Sequence, residues 1–181
     1  MAITINGTGT ITGISAGGLP SATVTQATLA TPVAGTGPAF SAYLGSNQSI
    51  STGVFTKLQA NTEEFDTASC FNNTGSTVGS IPAYAFLPNV AGYYQCDGRL
   101  ESNINGTNTF ITIYKNGSEF KRGEAKVFSF NAGTGSNIFT LIYLNGTTDY
   151  IEFYGYLIGT SPVIVSGAVN TYVQAVLVRS A

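Results

Sequence analysis

The side chains on which most enzymes rely are thinly represented here, and one is missing. The chain has no histidine. That excludes Ser-His-Asp and Cys-His nucleophile activation, histidine general bases and histidine metal sites. Of the nine carboxylates that remain for chemistry, two groups stand out. Glu63, Glu64 and Asp66 share a polar stretch and offer hard oxygen ligands of the kind that hold Ca²⁺, or in pairs the two acids of a glycosidase. Neighbouring acids on a surface loop lack the apolar pocket that raises one carboxyl's pKa, so a solvated acidic loop is the better reading. Asp149 and Glu152 have opposite parity on one strand and face apart. The glycines Gly7, Gly9 and Gly13 miss nucleotide-loop spacing, with no helix or Lys-Ser/Thr pair behind them. No catalytic residue, cofactor or metal ion is expected, and the chain reads as a non-enzyme.

The two cysteines are too few for a disulfide framework. Cys96 reads as a small buried hydrophobe, Cys70 as a residue of the polar loop ASCFNNTG, and both as thiols of a reducing compartment. Asn-x-Ser/Thr sequons, for example at Asn105 and Asn145, read as turn chemistry rather than glycan acceptors.

Charged residues make up only 9% of the 181, against roughly 25% in ordinary globular chains. A monomer so poorly charged is a poor colloid, which implies that neighbouring subunits cover part of its surface. The net charge is −2, with no Lys/Arg cluster for phosphates, so nucleic acid is not an expected partner. No apolar run approaches the ~18–20 residues of a membrane span. The opening MAITINGTGT has neither the basic region nor the apolar block of a secretory signal. Assembly in a cytoplasm is expected, without membrane insertion.

The elements that must position these residues read as strands. In Phe86–Leu100, FLPNVAGYYQCDGRL, Pro88 sits in a turn because it cannot donate to a ladder. A two-residue period follows, with Tyr94, Cys96 and Leu100 on the core face and Tyr93, Gln95, Asp97 and Arg99 opposite. Further strands are expected at Ala39–Leu44, Val54–Leu58, Ala83–Leu87, Thr109–Lys115, Phe120–Asn131, Asn137–Leu144, Asp149–Ile158 and Ala168–Val178, with Asn61–Gly79 as a long polar connection. Asn116-Gly117 and Asn145-Gly146 are turn signals. Short strands with such turns mean an all-β sandwich or barrel, and no sustained helical period supports a parallel α/β sheet.

Residues 1–36 form an arm without a charged side chain, the first being Lys57. ITINGTGTITGI alternates around Asn6-Gly7 as a hairpin or extended arm, and a helical turn fits Val24–Leu29. Ile3, Ile5, Ile11, Ile14 and Leu19 are too few for a core, so this arm is expected to dock on a partner surface; a floppy tail, the other reading, would carry more charge.

In Asp149–Ile158, Ile151, Phe153 and Leu157 face the core. Tyr150, Glu152, Tyr154 and Tyr156 face outward. Tyrosines suit interfaces, so this face is read as buried in a subunit interface; an exposed aromatic ladder is the alternative. A buried Glu152 needs a cation. Lys126 or Arg122 of a neighbouring subunit is the expected partner, with Phe128 on the same face of the strand Phe120–Asn131.

From Gly37 to Val178 the chain resembles the trimeric jelly-roll family of the complement component 1q head and the tumour-necrosis-factor ligands. The matching pieces are GPAFSAYL, FLPNVAGYYQ, ITIYKNG and LNGTTDYIEFYGYL, in the family's order. The last strand, TYVQAVLVRSA, departs from the family's aromatic-Ser-Gly-aromatic ending. The resemblance implies an antiparallel jelly-roll β-sandwich of about ten strands over residues 37–181, homotrimeric around a flat aromatic face. The arm stretch TINGTGTITGISAGGLP resembles the opening of fibre and decoration proteins of tailed bacteriophages.

Together these imply a virion surface protein: a trimeric capsid decoration, or cement, protein whose arm docks on the major capsid protein or another virion protein and whose sandwich projects outward, aiding host adhesion. The competing reading is the receptor-binding tip of a short tail fibre or baseplate that recognises host surface glycans. The chain has no room for a long shaft.

Overall fold

The computed structural model describes residues 37–103, 108–125 and 134–181. The arm residues Ile3, Ile5, Ile11, Ile14 and Leu19, the helical turn expected at Val24–Leu29, and Lys126 and Phe128 lie outside the described residues.

The described chain is built from β1 (Ala39–Tyr43), β2 (Gln48–Ser49), β3 (Thr56–Lys57), β4 (Thr62–Asp66), β5 (Ala85–Phe86), β6 (Gly92–Ser102), β7 (Asn108–Lys115), β8 (Ser118–Arg122), β9 (Thr134–Leu144), β10 (Ile151–Ile158), β11 (Val163–Ile164) and β12 (Tyr172–Ser180). All pairings are antiparallel. The first sheet runs β4-β1-β12-β6-β9, with β11 and β2 attached at the Ser102 end of β6; the second runs β3-β10-β7-β8, with β5 on β10. The last strand lies between the first strand and β6. This is an antiparallel jelly-roll sandwich.

Alternation produces the core directly. Burial switches at every residue along β6, and Tyr94, Cys96 and Leu100 are fully enclosed. Across from them Ile111 and Ile113 of β7 and Ile151 and Leu157 of β10 are equally buried, each contributing about 1.5–3 kcal/mol. The sheets close on each other at Gly155, where a Cβ would stand 2.5 Å from a Leu100 methyl. Phe40 stacks on Phe71 and Phe86, with ring centroids 4.4 and 4.7 Å apart, and Phe86 meets the edge of Tyr94. The Tyr94 hydroxyl donates to the Val90 carbonyl at 2.7 Å, tying the strand to the proline turn before it. Burial raises the pKa of the Tyr94 hydroxyl and of the Cys96 thiol. Both cysteines are unpaired and buried.

Four local expectations change. The polar connection 61–79 contains β4, an edge strand on β1. Its TEEFD sequence hides the alternation because charged residues belong on sheet edges. The Asp66 carboxylate then accepts the backbone N–H of Ala68 and Phe71, at 3.2 and 2.7 Å. The resulting turn carries Cys70 and Phe71 into the core, so Cys70 is no surface-loop residue. Val54–Leu58 contributes only the short β3. Asn116-Gly117 is the expected tight hairpin, with φ of 52° and 77°, as a primed turn requires. Asn145-Gly146, by contrast, carries the chain from β9 in one sheet to β10 in the other. There the Asn145 side-chain oxygen accepts the N–H groups of Thr147, Thr148 and Asp149.

Candidate interaction faces

The outward face of the second sheet carries the tyrosines. In β10 the inward positions are buried, while Tyr154 and Tyr156 are half-buried, as the alternation predicts. Tyr150 precedes the strand, its N–H bonded to the Asn116 side-chain oxygen. β10 pairs with β7 so that Tyr156 lies opposite Phe110 and Tyr154 opposite Thr112. The Phe110 and Tyr156 rings stack with centroids 4.6 Å apart, and Tyr114 and Tyr154 at 4.0 Å. Phe55, delivered by the turn before β3, closes on Tyr156 at 4.9 Å. Burial, then the nearby Glu152 and the neighbouring tyrosines, push the Tyr154 hydroxyl up to about 12. Much of the cover expected from a neighbouring subunit is thus supplied by the chain itself.

The charge on this face is settled the same way. Glu152 is 4% exposed, and its carboxylate pairs with the Lys57 ammonium, which also donates to the Ala83 carbonyl at 3.1 Å. The cation expected from a neighbouring subunit therefore comes from the same chain. β3 is the strand beside β10, with Lys57 opposite Tyr154, an adjacency that no residue period displays. Arg122 is engaged elsewhere. It binds Glu119 through Nε at 2.7 Å and Nη2 at 2.9 Å, with its guanidinium over the rings of Phe110 and Phe55 at 4.9 and 5.3 Å.

Asp149 precedes β10 while Glu152 lies within it, and the two carboxylates bind different cations. Asp149 accepts the Asn116 side-chain amide at 2.8 Å and pairs with Lys115 at 2.9 Å. Its burial alone would raise its pKa; the bonds from Asn116 and Lys115 outweigh this and hold it below the usual value. In the other acidic group Glu64 accepts the Ser41 hydroxyl at 2.7 Å.

The outward face of the first sheet is different. Register places Tyr93 opposite Tyr143, Gln95 opposite Leu141, and Asp97 opposite Phe139. On the other side of β6, Val176 lies opposite Gln95 and Gln174 opposite Asp97. Phe139 is 73% exposed and Leu141 59%, with Tyr93, Tyr143, Val176 and Val178 also exposed. In their midst Asp97 accepts the side-chain amides of Gln95 at 2.8 Å and Gln174 at 3.3 Å. Phe65 of the edge strand β4 completes the face, and a shallow concavity of about 220 Å³ is lined by Ala39, Phe65, Gln95, Asp97, Gln174 and Val176. Sequence reasoning missed this surface. The signal was in the run IFTLIYL of β9, which is apolar at positions of both parities and so demands cover on both faces.

No protein-family model matches the sequence, and no curated protein matches it. Solved structures do match the fold. Murine APRIL at pH 5.0 superposes with a TM-score of 0.60 at 9% identity, covering 79% of this chain and all of that one. The globular domain of zebrafish complement 1qA gives 0.59 at 12% identity, covering 80% and 99%. PRD1 vertex protein P5 gives 0.56 at 17% identity, again covering 80% and 99%. The sandwich of this chain thus has the jelly-roll fold of tumour-necrosis-factor-like and complement 1q domains.

Proposed function

We propose that the protein is a homotrimeric structural component of a virion surface, a capsid decoration protein of a tailed bacteriophage. Its arm, residues 1–36, docks on the major capsid protein or another virion protein, and its sandwich projects outward. The observation that carries this reading is the exposed apolar face of the first sheet, centred on Phe139 and Leu141. Contiguous apolar exposure of this kind marks an association surface. A second and third copy of the chain are its occupants in this reading, which moves the trimer contact from the tyrosine face to the opposite sheet. Two observations support it further: a charged fraction of 9%, low for a free monomer, and the fold likeness to a phage vertex protein.

The role is mechanical rather than catalytic. Glu152 is tied to Lys57, Asp66 to backbone N–H groups and Asp149 to Lys115, which supports a structural use of these carboxylates. Three arms on one trimer bury apolar surface at ~25 cal/mol per Å² and raise effective affinity through trivalency without new contacts.

The test is particle binding by the chain lacking Met1–Thr31, with copy number per particle measured alongside. A soluble trimer that no longer binds, from a virion carrying hundreds of copies, is the expected result. Continued decoration would overturn the docking role of the arm. Only a few copies per particle would favour the second reading, a receptor-binding tail tip. The observation that favours that alternative is an aromatic concavity on the second sheet.

A further inference from the structure

We infer that the second sheet carries a binding site for an uncharged saccharide, seated on Phe55 and Tyr156, backed by the buried Phe110 and rimmed by Asn108 and Arg122. The inference goes beyond the decoration role proposed above and gives a ligand class to its second, receptor-binding reading, on which it rests for its biological sense though not for its geometry.

A shallow concavity of about 350 Å³ opens among Phe55, Asn108, Phe110, Arg122, Ala125 and Tyr156. Such a volume is at the lower end of small-ligand sites, which combine apolar walls with a few placed polar groups. Phe110 is almost wholly buried and stacks against Tyr156. Phe55 and Tyr156 stay partly exposed and offer some ring surface. The turn that delivers Phe55 is braced: the Gly53 N–H donates to the Leu157 carbonyl at 2.8 Å, and the Leu58 N–H to the Phe153 carbonyl at 2.8 Å. The site is therefore built on two strands and a tied turn, which suits recognition by a preformed surface.

Ligand class follows from the polar groups. The Arg122 charge is already neutralised by its two bonds to Glu119, so the rim has no surplus charge to attract an anion. The guanidinium nevertheless keeps Nη1 as a donor, and the Asn108 amide supplies both donors and an acceptor. A pyranose has the matching character: an apolar face of C–H bonds for an aromatic ring, and a rim of hydroxyls that both donate and accept. A lipid would leave these rim groups unpaired at a cost.

Position agrees. Ile158 lies opposite Asn108 and Tyr156 opposite Phe110, at the end of the sandwich where Gly155 packs against Leu100 and Ile164. The described chain begins at the other end, where the Pro38 carbonyl accepts the Leu177 N–H. The concavity thus lies away from the point at which residue 37 joins the arm in sequence.

The experiment is saturation-transfer NMR on the full chain, with the methyl glycosides of glucose, galactose, mannose and N-acetylglucosamine, and with lactose and sialyllactose as an uncharged and charged pair. The expected result is transfer to ring C–H protons of at least one neutral sugar, with a Kd of ~1–10 mM, the weak-affinity range. Asn108→Ala and Phe55→Ala should each reduce it at least fivefold. Asn108→Ala guards against misfolding, because it removes a rim amide without opening the core. No transfer from any neutral sugar, transfer unchanged in both variants, or binding of sialyllactose alone would each overturn the inference. A chain that decorates particles but binds no glycoside overturns this inference alone. A chain that binds glycoside but no particle overturns the virion reading alone.

Discussion

The two sheets turn similar aromatic loads outward and treat them in opposite ways. On β10 and β7 the rings of Tyr154, Tyr156, Phe110 and Tyr114 stack on one another, and Phe55 and Lys57 close over them from the side. On β6, β9 and β12 only Tyr93 and Tyr143 meet, at 5.6 Å, while Phe139 and Leu141 stand free in the described chain. The strands themselves do not make this difference, since both obey the same alternation. It comes from what the neighbouring segments bring: β3 and its turn reach the second sheet, and nothing among the described residues crosses Phe139 or Leu141. Aromatic content on an outward face therefore does not show by itself that the face is left uncovered, since the chain can cover it.

The largest test of this contrast is to charge each face in turn. If the proposed trimer forms, at about three times 18.8 kDa, Phe139→Lys with Leu141→Lys should convert it into monomers by light scattering, since buried like charges cannot be paired across a symmetric contact. Tyr154→Lys should leave the trimer intact. The opposite pattern would return the contact to the tyrosine face. Next in size is Lys57→Met, which strands the buried Glu152 carboxylate and should cost about 3 kcal/mol in chemical denaturation. Adding Glu152→Leu should recover most of that loss. If Lys57→Met alone costs nothing, Glu152 takes its cation from elsewhere and the self-covered account of this face fails.

The smallest effect is a matter of pH. The Tyr154 hydroxyl is held up to about 12 in the folded chain, against ~10 for a free tyrosine. The unfolded form ionises first, so stability should fall as pH rises from about 10 to about 12. Tyr154→Phe keeps the ring and removes the titration. Its thermal midpoint should decline less steeply over that window; identical slopes would mean that Tyr154 is less covered than the geometry indicates.

Much of the fold was legible because it depends on parity alone. Tyr94, Cys96 and Leu100 fall on the core face of β6, and Ile151, Phe153 and Leu157 on that of β10, as a two-residue period requires. Asn116-Gly117 announced its hairpin because few other residue pairs tolerate two positive φ angles. Which strand lies beside which was not legible. The pairing of Lys57 with Glu152 spans 95 positions and exists only because β3 docks on β10. β2 and β11 are two-residue strands, too short to show any period. β4 was hidden by the acidity that suits an edge. The face on β9 was readable in principle, in an apolar run that leaves neither side of the strand for water.

The placement of the final strand has a practical consequence. β12 lies beside β1, with Ala39 opposite Val176, so the polypeptide enters and leaves the sandwich at one pole. At the opposite pole the turn at Gly167 bonds back to the Leu44 carbonyl, and Val169 protrudes. A sequence appended after Ala181 will start at the same pole as Gly37. A peptide spliced in at Val169 will stand at the far tip, clear of it. For anyone wishing to use this sandwich as a display scaffold, the loop is the mast and the terminus is the moorings.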